Sequence, residues 1–554
     1  MDVAVADAGS ELVVAPLVDG EPAERTRVPV DRLAELPAYR DGVRWVWADT
    51  AGIYPRLLAR GVRVQRCHDL RLCHAILAGH DAGLAADDRW RRHEIVEAEP
   101  TLLDDQPSQD RVELDEVIAE FGRQYSHVAP EPGLDDQERV RRAKLRLLLS
   151  AESAGALIAA EMAEDGLPWD VEVHDRLLAE VLGPRPRYGE RPAKLQAVID
   201  QLITALGVGP FNPDSAVNLI DALHRAGIEV NSTRKWELEQ IDHPAIEPLL
   251  AYKKLSRLLS ANGWAWMDTW IVDGRFRPDY VVGGVVTGRW ATSGGGALQL
   301  PKQIRSAARA DPGWKLVVAD ASQLEPRVLA AMARDDQMAN AARGHDLYQG
   351  LVDAGVVDTR AHAKVAMLAA LYGATTGFGG NLMPRLIKAY PRATGVVEEA
   401  ARAGERGEIV STFLGRRSPR PPESWRELQR LAGAGEAPAD DVRRARQQAR
   451  DWGRFTRNFV VQGTAAEWAL CWMAGLRQLL RSPELVEGLG PARGPHLVYF
   501  LHDEVIVHSP ADRAGQVATL IKDAAAMAGR LLFGDYPVEF ALQVAVVDNY
   551  GQVK

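Results

Sequence analysis

A chain of 554 residues exceeds what one hydrophobic core serves, and at about 100–200 residues per domain it calls for three or four subdomains. The composition is that of an ordinary globular protein, and the three cysteines, Cys67, Cys73 and Cys471, exclude a disulfide framework and offer no zinc-type spacing, so a reducing cytosol fits. The formal net charge of -10 argues mildly against a nucleic-acid partner, but phosphate contact is local, and basic stretches at Lys253-Lys254, Arg416-Arg417 and Arg443 to Arg457 allow a basic groove on an acidic body.

The segment Met1 to Val14 lacks the basic and then apolar order of a signal peptide. No run approaches the ~18 apolar residues that span a membrane, so a cytoplasmic protein without a membrane partner is expected. The first 80 residues read as short strands and helices, with a strand at Val43 to Ala48 and a helix at Tyr54 to Arg60. Residues 81–137 are polar and acidic, and predict loops with short helices. Leu145, Leu148, Leu149, Leu157 and Ile158 recur at helical spacing within Glu138 to Met162, and Gly166-Leu167-Pro168 punctuates that helix. Further helices run to about Trp270. Lys315 to Ala319 is a buried strand ending on Asp320, followed by helical pattern at Arg327 to Ala342 and Arg360 to Leu371. The Pro/Arg/Glu-rich stretch Ser418 to Asp441 reads as an exposed insertion. His496 to His508 reads as two strands meeting at Asp503-Glu504, and Val538 to Val547 as one more. Strands separated by helical blocks predict an α+β architecture with a small antiparallel sheet.

Two acidic positions draw attention. Asp320 ends an apolar strand, and Asp503 sits between the apolar runs Leu497 to Leu501 and Val505 to Val507, with Glu504 beside it. Two carboxylates at adjacent strand ends can hold a pair of Mg²⁺ ions about 3.5–4 Å apart. A single aspartate after a strand is usually only a turn residue. Asp-Glu is a poor tight-turn pair, however, because its charges repel and Asn-Gly or Asp-Gly would serve better. Arg360, Lys364, Leu368 and Tyr372 fall at i, i+4, i+8 and i+12, ahead of Gly373. On a helix they form one stripe, with Arg360 and Lys364 about 6 Å apart along the axis, a spacing that suits successive phosphates. Alone, that stripe would describe any amphipathic helix with a basic edge.

Their order and separation carry a resemblance. Asp320-Ala321-Ser322-Gln323-Leu324-Glu325-Pro326-Arg327, then Arg360/Lys364/Tyr372-Gly373, then Leu501-His502-Asp503-Glu504 resemble motifs A, B and C of family A DNA polymerases, the DNA polymerase I group. Thr287-Gly288-Arg289, Leu298-Gln299, Arg454, Asn458 and Gln462 to Ala466 match the flanking pattern. Phe211-Asn212-Pro213 and His243 to Leu258 look like the family's thumb, and the likeness covers roughly residues 140 to 554.

The resemblance implies a right-hand polymerase fold of palm, fingers and thumb behind an α/β RNase H-like exonuclease-type domain. The expected boundaries are 1–137 for a degenerate 3′–5′ exonuclease-like domain, 138–270 for the thumb, 271–345 and 454–554 for the palm and 346–453 for the fingers. It implies two Mg²⁺ ions, replaceable by Mn²⁺, on Asp320, Asp503 and the Ala321 carbonyl, with Glu504 assisting. Arg360, Lys364, Leu368, Tyr372, Gln323 and Tyr348 would meet the dNTP, and Glu325 would be the steric gate against a 2′-OH. Arg289, Arg454, Asn458, Gln462 and His502 would meet primer–template DNA, with Arg289, Asn458 and Gln462 reading pair shape in the minor groove and His502 near the primer end. A nucleoid-associated monomer fits the family.

The sequence departs from the family at Ala321 and Leu368, where aromatic residues are usual, at Pro326 for an aliphatic one, and at Tyr348 for a histidine. These changes imply altered nucleotide affinity or sugar discrimination, and a looser pocket at Leu368 would tolerate damaged templates. The exonuclease acids are missing. No Asp-x-Glu pair lies on the first strand, none of the second motif's acid lies near Tyr54-Pro55, and Glu152-Ser153-Ala154 has serine at the catalytic acid. A structural exonuclease fold without proofreading is expected. A non-catalytic primer–template binder would have lost Asp320 or Asp503. A phage-type RNA polymerase would carry a small residue at Glu325, and a polymerase with a working exonuclease would need the missing acids. The pathway served, whether repair, gap filling or lesion bypass, stays open.

Overall fold

The computed structural model describes residues 1–18, 20–35, 42–91, 111–187, 189–294, 296, 298, 300–344, 346–373, 377–434, 437–487 and 494–553. Gln299 and residues 92–110 of the acidic stretch lie outside them. Two compact units result: 1–165 with 279–293 and 313–546, and 166–278 with 294–312 and 547–554.

The larger unit opens with β1 (Asp2–Asp7), β2 (Glu11–Val18), β3 (Thr26–Pro29), β4 (Arg44–Trp47), α1 (Thr50–Leu58), β5 (Arg66–Asp69), α2 (Leu70–Leu77), α3 (Leu114–Ser126) and α4 (Asp136–Asp165). β1 pairs antiparallel with β2, and β2 with β3. β4 joins the other side of β1 in parallel, and β5 joins β4 in parallel. With the short strand Glu21–Pro22 also paired to β2, four antiparallel strands continued by two parallel ones form the expected RNase H-like sheet. β1 and β4 are buried on both faces, so they read as the continuous apolar runs Val3 to Ala6 and Trp45 to Trp47.

The same unit then carries β6 (Trp314–Ala321), α5 (Leu324–Ala333), α6 (Leu347–Asp353), α7 (Arg360–Tyr372), α8 (Pro391–Glu405), α9 (Ala439–Leu479), β7 (His496–Leu501), β8 (Glu504–Pro510), α10 (Ala514–Phe533) and β9 (Leu542–Val547). The sheet order is β7-β8-β6-β9. The antiparallel β6/β8 register sets Asp320 opposite Glu504. Helices α8 and α9 approach closely at Gly404, where an added Cβ would strike Thr456. Leu347, Leu351, Ala363, Ala366, Met367 and Phe459 bury their shared core.

The smaller unit is helical. Ala193–Leu206, Ala216–Arg225 and Ile246–Asn262 enclose Leu202, Leu223, Leu238 and Leu249. Trp169, His174, Trp266 and Phe276 cluster edge to face nearby.

Packing and capping set several local boundaries. The smaller unit begins at Gly166, because α4 packs on α1, α2, β5 and α9 and so belongs with the larger unit. The helix expected from 327 to 342 is two, broken at Arg334 in the left-handed region with Asp335 capping the second. The helix after Asp320 starts at Leu324. Pro326 then takes its third position, where an N–H has no intrahelical partner anyway. The stretch 418–441 holds a helix, Glu423–Gly433, because Trp425 and Gln429 bond the α9 carbonyls of Gln448 and Ala445.

Candidate active site

Within β6 the buried apolar run Leu316 to Ala319 leads to Asp320, so the strand is held in the core while its acid reaches the sheet's end. In the β7–β8 hairpin His502 adopts φ 58°, and the Ala321 N–H donates to the Asp503 carbonyl at 2.9 Å. That bond ties the Asp503 turn to the end of β6. Burial and the neighbouring Asp320 push the Asp503 carboxyl up to about 7, and burial raises Asp320 as well. Two carboxylates thus share a partly desolvated corner that a divalent cation would neutralise, and their hard oxygens fit Mg²⁺. Among the described residues no group of three or more His, Cys, Asp or Glu gathers to hold a metal. Glu504 does not sit in the turn as the sequence reading had it. It lies buried in β8, because the hairpin's register makes His502-Asp503 the turn.

Glu325, on the first turn of α5, accepts from the Tyr372 hydroxyl at 3.1 Å and from the Arg289 guanidinium. Burial and Glu325 push the Tyr372 phenol up to about 12. One carboxylate therefore ties the end of α7 to the 285–289 turn. Gln323, left-handed at φ 56°, donates to Asp346 at 2.9 Å and accepts from Leu347 N–H at 2.7 Å. Its amide is thus occupied in holding the start of α6.

α7 begins at its cap Thr359, whose hydroxyl accepts from His362 N–H, and ends on left-handed Gly373. Ala363, Ala366, Met367 and Ala370 are buried, while Arg360, Lys364, Leu368 and Tyr372 line the exposed face. Arg360 pairs with Asp346 at 2.6 Å and lies 5.7 Å over the Tyr348 ring. Burial works against the Asp346 charge, yet Arg360 and Gln323 hold its carboxyl below the ordinary range. Burial raises the Tyr348 phenol, which also feels Glu325, Arg360 and Asp503. Lys364 has no ion-pair partner among the described residues.

On α9, Arg454, Asn458 and Gln462 follow at i+4 spacing and none is buried. Gln462 accepts from Thr287 at 3.0 Å, and Arg454 pairs with Asp451. At the hairpin turn, partial burial and Arg289 lower the His502 imidazole pKa. The structure thus gathers Asp320, Asp503, Glu325, Arg289, Tyr372, Tyr348 and Arg360 through direct bonds or mutual charge. It records no bond from Lys364 or Leu368 to the carboxylates. Sequence reasoning missed Asp346 as the holder of Arg360; its place as α6's cap, accepting from Gln349 N–H, was the available signal.

In the nuclease-like sheet the acids are otherwise engaged. Asp7 pairs with Arg56, and Asp49 and Asp69 cap α1 and α2. Ser153 accepts from Asp69 N–H, and Glu152 pairs with Arg416.

A small antiparallel sheet with paired acids at its hairpin end, faced by a helix bearing Arg, Lys and Tyr, is a polymerase palm with its finger helix. The chain belongs to DNA polymerase family A, whose model matches residues 188–552. It is similar to the thermostable DNA polymerase I of Thermus thermophilus, 26% identical over 456 residues that cover 72% of this chain and 50% of the relative. The DNA polymerase I of Chloroflexus aurantiacus is 27% identical over 391 residues, covering 62% and 38%. The chain thus spans about half the length, or less, of these curated relatives. The solved POL domain of Pol1 from M. smegmatis, in complex with DNA primer-template and dNTP, aligns over 99% of this chain and 96% of its own. The TM-score is 0.67 at 18% identity, a likeness of fold.

Proposed function

We propose that this chain is a DNA-templated DNA polymerase that extends a primer 3′ end with dNTPs. The observation that carries the reading is the pair Asp320 and Asp503, tied side by side at the sheet's end with no ion-pair partner for either among the described residues. Two Mg²⁺ ions, or Mn²⁺ in their place, would be held by these carboxylates and the Ala321 carbonyl. They would activate the primer hydroxyl and stabilise the leaving pyrophosphate.

The protein's own groups do the rest. Arg360 leaves Asp346 to grip the triphosphate bidentately, and Lys364 adds a point charge one turn on. Tyr348 borders the phosphates, Leu368 and Tyr372 border the sugar and base, and Gln323 fixes the α6 end of the pocket. Glu325, immobilised by Arg289 and Tyr372, fills the space a 2′-OH would need. Arg289, Arg454, Asn458, Gln462 and His502 seat the primer–template. Glu504 supports Asp320 from across the β6/β8 pair. Residues 271–345 and 454–554 serve as palm, 346–453 as fingers and 138–270 as thumb, the last beginning in compact form at Gly166.

The region 1–137 acts without proofreading, since Ser153 stands at the expected acid and Asp7, Asp49 and Asp69 serve as caps or ion-pair partners. Repair or lesion-associated synthesis by a cytoplasmic, nucleoid-associated monomer completes the proposal. No described helix is long and apolar enough to cross a membrane.

The test is extension of a labelled primer–template with Mg²⁺ and dNTPs, beside Asp503→Ala and a lane without dNTPs. Template-length product from the wild type alone supports the polymerase. An intact primer without dNTPs supports the absence of proofreading, and shortening there refutes it. Binding without extension would instead favour a non-catalytic primer–template binder.

A further inference from the structure

Glu152 stands where the nuclease acids would gather, yet its carboxylate faces the polymerase side of its own unit. Its side chain is 2% exposed and meets the Arg416 guanidinium at 2.7 Å. Arg416 closes a tight turn. Thr412 N–H donates to the Arg416 carbonyl at 2.9 Å, and Arg416 N–H donates to the Thr412 hydroxyl at 2.9 Å. One side of this turn is fastened to α9, where Phe413 N–H donates to Thr464 and Leu414 N–H to Glu467. The other is fastened to the N-terminal region. His80 bonds the Gly415 carbonyl at 2.8 Å, Arg417 bonds the Gly79 carbonyl at 3.1 Å, and Lys144 of α4 lies 3.7 Å over the Phe413 ring.

The guanidinium's remaining face lies on the 285–289 turn. Gly288 has φ +86°, and a Cβ there would come within 2.6 Å of Arg416 Nε. Only glycine fits such contact and such a backbone. Thr412 presses likewise on Gly463, whose added Cβ would meet Thr412 at 2.4 Å and the Thr287 carbonyl at 3.1 Å. Thr287 bonds Gln462, and Arg289 bonds Glu325. A chain of direct contacts therefore runs from Glu152 through Arg416 and Gly288 to the groups assigned to primer–template. Arg416 Nε has no hydrogen-bond partner among the described residues, and Glu152 is the carboxylate hydrogen-bonded to the guanidinium.

We propose that Glu152 and Arg416 are positioning residues for primer–template binding, and that the nuclease-like region is retained as a brace that sets the turn carrying Thr287 and Arg289. The inference rests on the polymerase reading above. Removing the brace should loosen the DNA grip more than nucleotide binding, which the turn reaches only through Arg289 and Glu325.

The test compares wild type, Glu152→Gln, Glu152→Ala, Arg416→Lys, Arg416→Ala and the double alanine variant. Each is assayed for KM for primer–template, KM for dNTP, kcat and thermal midpoint. Glu152→Ala and Arg416→Ala should each raise KM for DNA about tenfold, the scale of one hydrogen bond to a buried charge, with kcat and dNTP KM within about twofold. The double variant should be no worse than either single one, as expected of partners in one contact. Glu152→Gln and Arg416→Lys, which keep volume and a hydrogen bond, should recover part of the loss and serve if the alanine variants fold poorly. A lowered midpoint with unchanged KM for DNA in every variant, or additive effects in the double, would overturn the brace. A wild type that extends no primer would instead overturn the polymerase reading.

Discussion

At Asp503 the stability of the fold and the proposed metal-binding role oppose each other. Its carboxyl is pushed up to about 7 by burial and by Asp320, so ionising it in the metal-free protein is costly. A group whose folded pKa is raised contributes stability that is full below its unfolded value near 4 and is lost as pH rises through 7. Asp503→Asn should therefore stabilise the chelator-treated protein at pH 8 by on the order of 1–3 kcal/mol, and by much less at pH 5. The same change should cut primer extension by about a thousandfold or more, since a metal's share of transition-state stabilisation is several kcal/mol. Melting curves at the two pH values, set beside single-turnover extension, check both halves. A variant equally stable at both would refute the electrostatic account. Glu325 makes a second residue-scale case, because one carboxylate holds both Arg289 and Tyr372. Glu325→Ala should open the sugar pocket and raise ribonucleotide use relative to dNTP by about 10–100-fold, read as the ratio of kcat/KM values. An unchanged ratio would remove the gate assignment.

The helix α7 shows how an element can be prepared for a ligand. Its buried face of alanines and Met367 packs inward, leaving four side chains in one exposed row. Arg360 is parked on Asp346, and that half-exposed ion pair competes with any phosphate. Such pairs are worth about 0.2–1 kcal/mol, so Asp346→Asn should lower KM for dNTP by about 1.5–5-fold at unchanged kcat. It keeps an oxygen for the Gln349 cap. A raised KM would mean that Asp346 positions Arg360 rather than restrains it. This row was legible because i+4 spacing survives in a linear sequence, as were β6, β7 and β8, whose apolar runs end on acids. The Asp346 pair was less legible, since it joins residues 14 positions apart on different helices. Glu504's place in the strand depends on hairpin register, which sequence leaves free by a residue. The helix Glu423–Gly433 escaped notice because its sequence is polar and only Trp425 is buried to anchor it. The Glu152–Arg416 contact spans 264 positions, with no local pattern to announce it.

Across the larger unit, two buried glutamates give opposite responses to pH. Glu161 of α4 receives Arg477, Arg481 and the Tyr54 hydroxyl. Burial works against its charge, yet Arg477 and Arg481 bring it down to about 2. Its folded pKa lies below the unfolded 4.5, so its stabilisation is present above 4.5 and lost as pH falls toward 2. Glu467 of α9 is the reverse. Burial raises it to about 7 against the bonds from Thr412 and Leu414, so its contribution is full below 4.5 and lost as pH rises through 7. Each is worth on the order of 3 kcal/mol across its window. The two together place their combined optimum at about pH 5. Glu467→Gln, which copies the protonated form, should melt like the wild type at pH 5 and above it at pH 8, with the gap opening between. Glu161→Gln should lower the midpoint most at pH 7, because it leaves Arg477 buried without its counter-charge, a loss of about 3–5 kcal/mol. Thermal melting of both variants from pH 4 to 8 separates the two mechanisms. A Glu467→Gln gap of constant size would show that its carboxyl stays ionised throughout, and would assign the effect to packing around the 412–416 turn instead.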